Sequence, residues 1–209
     1  MLDKKVILVG YSGHGFIIAD TAIENQLNLV GYAENEIVKN NPFQLDYIGN
    51  EREDGFFEKN KGVKYLIGIG DNRIREKLYN QIIEKGGEIL TLISQTTSIS
   101  RTASIGSGTF VNKNVSINAF ARIGKNVILN TACIIEHDCI IGDSVHIAPG
   151  AVLAGNVNVG ERSFIGANAV IKQGVVIGKD VLIGAGTVVL NDILDGKKVV
   201  GNPSRLIKL

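Results

Sequence analysis

Residues 123–147 read IGKNVILNTACIIEHDCIIGDSVHI, and their governing property is a step of six that collects Ile123, Leu129, Ile135, Ile141 and Ile147. Extended both ways, the same step picks up Ile99, Ile105, Val111 and Ile117 before them. Leu153, Val159, Ile165, Ile171, Ile177, Ile183 and Val189 follow, without a miss. Two positions before each aliphatic stands a small or β-branched residue, such as Ala121, Val127, Cys133, Cys139 and Val145. Alternation along a strand puts both on one side. The residue after the aliphatic is often Gly (Gly106, Gly124, Gly142, Gly160) or Asn (Asn112, Asn118, Asn130). These tolerate turn conformations, which places a corner after each short strand. Fixed self-similarity of this kind marks a repeat fold. The pattern predicts a triangular parallel β-helix in which three hexads close a coil of about eighteen residues and coils stack at about 4.8 Å. About five coils run from Ile99 to Val189, with no insertion to break the phase.

The whole chain has 209 residues, room for one or two domains. With 22 basic against 21 acidic side chains the net charge is +1, so the basic footprint of a nucleic-acid binder is missing. No apolar run approaches the roughly 18–20 residues that span a bilayer, so no membrane insertion is expected. The opening MLDKKVILVGYSGHG lacks the pattern of a signal peptide, and a cytoplasmic protein is expected. Cys133 and Cys139 both fall in the small inward column, which reads them as core packing rather than nucleophiles or a disulfide.

The first 95 residues have another grammar. Lys5–Gly10 (KVILVG) reads as a buried strand, and Phe16–Glu24 as a helix with Ile17, Ala22 and Ile23 at helical spacing. Between them lies the turn Gly10-Tyr11-Ser12-Gly13-His14-Gly15. Leu29–Ala33 is a second strand, followed by Glu34. Such a βαβ unit suits a diphosphate at a helix N-terminus and a ribose hydroxyl at the carboxylate. Ser12, Gly13 and His14 are the candidates for the phosphates, and Glu34 with Asn35 for ribose or base. The glycine spacing departs from the dinucleotide fingerprint, which disfavours NAD. Tyr65–Ile69 reads as a strand entering Gly70-Asp71-Asn72, and Arg73–Lys85 as a helix with Ile74, Leu78, Ile82 and Ile83 inward. Residues 37–60 read as a loop followed by a short helix, and Ile89–Ile93 as a last strand. The divisions expected are a Rossmann-like domain over 1–95, a β-helix over 96–190 and a capping segment over 191–209.

GYSGHG and GIGDNRIREKL joined to unbroken hexads, with Asn130-Thr131-Ala132-Cys133-Ile134-Ile135-Glu136-His137-Asp138-Cys139 as the most specific segment, resemble the PglD-type nucleotide-sugar N-acetyltransferases. The NeuD-type sialic acid O-acetyltransferases are close relatives of these. The resemblance implies a left-handed β-helix of the hexapeptide-repeat acyltransferase superfamily, a homotrimer, a role in polysaccharide biosynthesis, acetyl-CoA as cosubstrate and no metal. It implies transfer of acetyl to the amine of a nucleotide-linked 4-amino-4,6-dideoxy sugar. O-acetylation of a sugar hydroxyl and a non-catalytic nucleotide-sugar-binding scaffold are the alternatives. His137 becomes the general base, Asp138 its supporting acid and His146 a contact to coenzyme A. Gly155, eighteen residues after His137, is read as an oxyanion donor from its backbone N–H. Ala167 and Ala185 match positions lining the pantetheine arm, and Asn130 is a candidate sugar contact. Read as residues alone, His137 stands in an outward column. His146, the neighbour of inward Ile147, should also face outward. Asp138, next along the strand, should point away from His137.

Overall fold

The computed structural model describes residues 4–207. The chain divides into two compact units, Met1–Leu92 and Ile93–Leu209.

The first unit is built on a five-stranded parallel sheet: β1 (Val6–Val9), β2 (Leu29–Ala33), β3 (Asp46–Gly49), β4 (Lys64–Ile67) and β5 (Glu88–Ile89), in the order β3-β2-β1-β4-β5. Its helices are α1 (Gly13–Glu24), α2 (Phe56–Lys59) and α3 (Asn72–Glu84). Chain order reverses between β1 and β4, so the two glycine-rich turns GYSGHG and GIGDN leave neighbouring strands at their C-terminal ends. In parallel α/β sheets this reversal is where ligands bind. A Cβ on Gly15 or on Gly68 would collide with the Gly10 carbonyl. Those glycines are required by the closeness of the two turns.

Several local readings are corrected. Residues 37–60 contain strand β3, not only a loop and a helix. Ile89–Ile93 is two short strands, Glu88–Ile89 in this sheet and Leu92–Ile93 in the β-helix. In α1 the buried face carries Ile18, Ala19 and Ala22, while Ile17 and Ile23 are exposed. In α3, Leu78 and Ile82 are inward as expected, but Ile74 and Ile83 lie outside, and the inward residue one turn before Leu78 is Arg75. Its guanidinium donates from Nη1 to the carbonyls of Gly70 (3.0 Å) and Ile69 (3.4 Å) and from Nη2 to Asn72 Oδ1 (2.9 Å). Asp71 caps the helix by accepting from the N–H groups of Arg73 and Ile74.

The second unit is a left-handed parallel β-helix of two-residue strands on three faces. The first face runs from Ser98–Ile99 through Ile134–Ile135 and Val152–Leu153 to Val188–Val189. The second runs from Ser104–Ile105 through Ile140–Ile141 to Val176–Ile177. The third runs from Leu92–Ile93 through His146–Ile147 to Leu182–Ile183. Register holds at eighteen residues, as in Ile117↔Ile135↔Leu153. The inward aliphatics and the small column form one continuous core, including Val127, Cys133, Ile135, Cys139, Ile141, Val145 and Ile147. The pairing continues past Val189 with a shortened coil: Leu182 pairs with Lys198 and Ile177 with Ile193.

The corner is built differently from the sequence reading. Positive φ falls three residues after the aliphatic, at Asn114, Asn126, Asp138 and Asn156 among others. The glycine immediately after the aliphatic serves stacking instead. A Cβ on Gly166 would lie 2.5 Å from the Gly184 carbonyl carbon, and one on Gly160 would lie 2.6 Å from that of Gly178.

Candidate active site

The edge between the first and second faces carries His137. Ile135, at the end of its strand, is anchored in the core, so the residue two further on emerges at the corner with its side chain half exposed, at 53%. Asp138 follows with φ of 61°. That left-handed turn corrects the expectation that the two side chains point apart: a corner residue does not obey strand alternation. Asp138 Oδ2 accepts from His137 Nδ1 at 2.9 Å. With the proton on Nδ1 held by the carboxylate, Nε2 presents its lone pair.

Gly155 lies one coil further on the same edge, where the Asn156 N–H donates to the His137 carbonyl at 2.8 Å. A Cβ on Gly155 would stand 2.5 Å from His137 Nε2 and 2.6 Å from Cε1. The imidazole therefore lies over Gly155, in space that only glycine leaves open. At the same hexad position the N–H of Lys125 donates to Asp143 Oδ1 (2.7 Å), and that of Lys179 to Asp195 Oδ1 (2.8 Å). The backbone N–H of this column thus leaves the inter-coil ladder and points to side-chain acceptors. His137, Asp138 and Gly155 are brought together on one edge of the prism.

His146 is not part of that edge. It lies on the third face, where Ile128, His146 and Phe164 pair in register. His146 stands in the outward column, as alternation predicts, yet it is buried, at 9% exposure, with its ring edge-on to Phe164 at 4.9 Å. The outward column here holds Phe110, Ile128 and Phe164, and the first two are buried. That run of large apolar residues at outward positions was the available signal. Asn130, the candidate sugar contact, lies beside it. It is buried, its Oδ1 accepts from Asn112 Nδ2 (2.9 Å) and the Thr131 N–H (2.8 Å), and its Nδ2 reaches His146 Nε2 at 3.3 Å. Its amide is spent inside an Asn112–Asn130–His146 network. Ala167 and Ala185 sit at the corner between the third and first faces, Ala167 half-buried and Ala185 exposed. Cys133 and Cys139 are wholly buried free thiols, and burial pushes Cys133 up to about 12. Among the described residues no group of His, Cys, Asp and Glu could hold a metal ion.

In the first unit, Ser12, Glu34 and Asn35 line one cleft of about 450 Å³ with Tyr11, Glu36, Ile37, Val38 and Lys39. Glu34 Oε1 accepts from the Tyr11 N–H at 2.7 Å, tying the end of β2 to the glycine-rich turn. The Ser12 hydroxyl makes no capping bond to α1, and a Cβ on Gly13 would meet nothing within 4 Å. The first turn of α1 is therefore open at its positive end. Sequence reading missed the role of Tyr11. Its ring stacks on Tyr32 at 4.6 Å, and its hydroxyl donates to Asn41 Oδ1 (3.0 Å) and accepts from the Phe43 N–H (3.3 Å). It so fastens the 41–45 loop beside the cleft. His14 is half-buried, and burial first and the Arg75 guanidinium second push it down to about 4. It is a neutral imidazole in the folded protein near pH 7.

Comparison with known proteins bears on this architecture directly. Residues 5–82 match the PglD N-terminal domain, and residues 121–155 and 156–191 match the bacterial transferase hexapeptide family. The acetyltransferase domain of PglB from Neisseria gonorrhoeae is 30% identical over 98% of this chain and all of that one, with a TM-score of 0.89. The chain belongs to the PglD-type branch of the hexapeptide-repeat acyltransferases. PerB of Caulobacter crescentus, solved with CoA and GDP-perosamine, is 29% identical over 99% of this chain and 98% of that chain, with a TM-score of 0.92. WeeI from Acinetobacter baumannii is 26% identical over 98% of this chain and 100% of that one, at 0.86. The resemblance drawn from the sequence and the β-helix fold are both borne out.

Proposed function

We propose that this protein transfers an acetyl group from acetyl-CoA to the amine of a nucleotide-linked 4-amino-4,6-dideoxy sugar, with His137 as general base. The observation that carries this is the imidazole seated over Gly155 and held by Asp138, on a chain similar along its whole length to sugar N-acetyltransferases. His137 Nε2 accepts a proton from the sugar amine as its nitrogen attacks the thioester carbonyl. The tetrahedral oxyanion is stabilised by the Gly155 N–H. Collapse breaks the carbon–sulfur bond, and the departing thiolate recovers the proton from the His137 imidazolium. Asp138 keeps the proton on Nδ1 in the resting state and stabilises the imidazolium. No covalent intermediate on the protein is needed.

The nucleotide is held in the cleft of the first unit, with diphosphate at Ser12 and Gly13 and ribose or base at Glu34 and Asn35. Ala167 and Ala185 leave room for the pantetheine arm, and His146 contributes to coenzyme A binding. The working form is a cytoplasmic homotrimer serving polysaccharide biosynthesis. Exposed Ile140 and Val176, on the face next to the His137 edge, fit coverage by a neighbouring prism. The test is coenzyme A release with UDP-, dTDP- and GDP-linked 4-amino sugars against free sialic acid. Release is expected with one or more of the amino sugars, and His137→Ala should lower it by about 100-fold or more. Release with sialic acid alone, or an unimpaired His137→Ala, overturns the proposal.

A further inference from the structure

Phe120 occupies a place in the corner that its side chain does not favour. Its φ is 61°, and the other non-glycine residues with positive φ at this position of the β-helix are Asn, Asp, Ser, Ala or Arg. A bulky residue in left-handed conformation is an outlier, and such strain tends to persist where it serves a site. The conformation is held by its N–H, which donates to Thr102 Oγ1 at 3.0 Å. The ring gains no burial from it, since Phe120 is 59% exposed.

Its location gives the strain a meaning. Ser116 and Ile117 pair with Ile134 and Ile135, so eighteen residues separate Phe120 from Asp138 on one edge. The Asp138 N–H donates to the Ala119 carbonyl at 3.0 Å, which fixes that register at the corner itself. Phe120 thus stands one coil, about 4.8 Å, below the acid that orients His137. The edge reads, coil by coil, an exposed aromatic, then imidazole and carboxylate, then glycine. Along this edge Phe120 offers a large apolar surface, with exposed Ile140 on the adjoining face. A sugar whose amine reaches Nε2 has its adjoining ring carbons on one side of that edge or the other. A 6-deoxy sugar carries a methyl group on C5, the ring carbon adjoining the reacting C4, whereas a 6-hydroxy sugar carries there a hydroxymethyl that would lose water against a phenyl ring.

We infer that Phe120 is a specificity-determining residue that packs against the C6 methyl of the acceptor and selects 6-deoxy over 6-hydroxy 4-amino sugars. This rests on the acetyl-transfer reading above. The experiment compares kcat/KM for two nucleotide-linked 4-amino sugars that differ only at C6, for the parent chain, Phe120→Asn and Phe120→Ala, with melting curves and light scattering on each. Asn is compatible with the left-handed corner, so Phe120→Asn should fold and melt no lower than the parent. The preference for the 6-deoxy substrate should fall about tenfold in both variants, the usual worth of one methyl-sized apolar contact. An unchanged preference in a folded variant overturns the inference while leaving acetyl transfer intact. A variant that loses its oligomeric state also overturns it, because Phe120 would then be a subunit contact. If the parent acetylates neither sugar, this inference and the functional reading fall together.

Discussion

Gly155→Ala separates catalysis from folding. The added Cβ would lie 2.5 Å from His137 Nε2. Ordinary carbon contacts begin near 3.5 Å, so the ring must retreat by about 1 Å. It can do so, because the His137 side chain is half exposed. The retreat breaks the 2.9 Å bond to Asp138, which for exposed partners contributes about 1 kcal/mol or less. Gly155 is not among the positive-φ residues, so alanine fits its backbone and gains about 0.4–1 kcal/mol from the unfolded chain. The two effects nearly cancel, and the melting temperature should move by no more than about 4 °C. Turnover should not be spared. A displacement of about 1 Å at a reacting group costs about 100-fold. Steady-state coenzyme A release, measured beside a melting curve, checks both numbers. A variant that melts like the parent and also turns over like it refutes the placement of the imidazole over Gly155.

Three further outcomes follow from the same geometry. Asp138→Asn should lower kcat by about tenfold with KM for acetyl-CoA nearly unchanged, since the carboxylate faces Nδ1 rather than the donor; steady-state kinetics on both substrates check this. His14 is depressed from 6.5 to about 4, so the unfolded chain binds its proton first as pH falls. Its contribution, on the order of 3 kcal/mol, is complete above pH 6.5 and is lost between there and pH 4. Melting curves from pH 7 to 4 should fall more steeply for the parent than for His14→Gln. Asn130→Ala should destabilise the fold by about 1–3 kcal/mol, because it removes the acceptor of the Thr131 N–H and one of the two acceptors of the Asn112 amide; thermal or urea denaturation reads this directly.

How far the sequence could be read depended on which physical signal each residue carried. The β-helix was legible because every coil repeats one demand, an aliphatic and a small residue facing a narrow core, and Ile135 or Cys133 cannot satisfy it elsewhere. The edge position of His137 and its stacking on Gly155 followed from the eighteen-residue coil alone. Readings failed where a residue's polarity and its place disagree. Arg75 is charged yet inward, because its guanidinium finds the Gly70 and Ile69 carbonyls and Asn72; that turned the face of α3 away from Ile74 and Ile83. For His146, alternation fixes the side of the strand but not what lies over it, so its burial is not legible there. Asp138 was misjudged because alternation ends at a left-handed corner. Strand β3 escaped because its four residues, DYIG, are flanked by polar turns and have no apolar run to announce them.

The central claim is that the His137 imidazole receives the proton of the attacking amine. A crystal structure of the protein with coenzyme A and the nucleotide-linked amino sugar measures it most directly. The account predicts the amine nitrogen within hydrogen-bonding reach of His137 Nε2, at about 3 Å, with the coenzyme sulfur beside the Gly155 N–H. An amine bound away from that ring, or a sulfur lying along another edge of the prism, would contradict it.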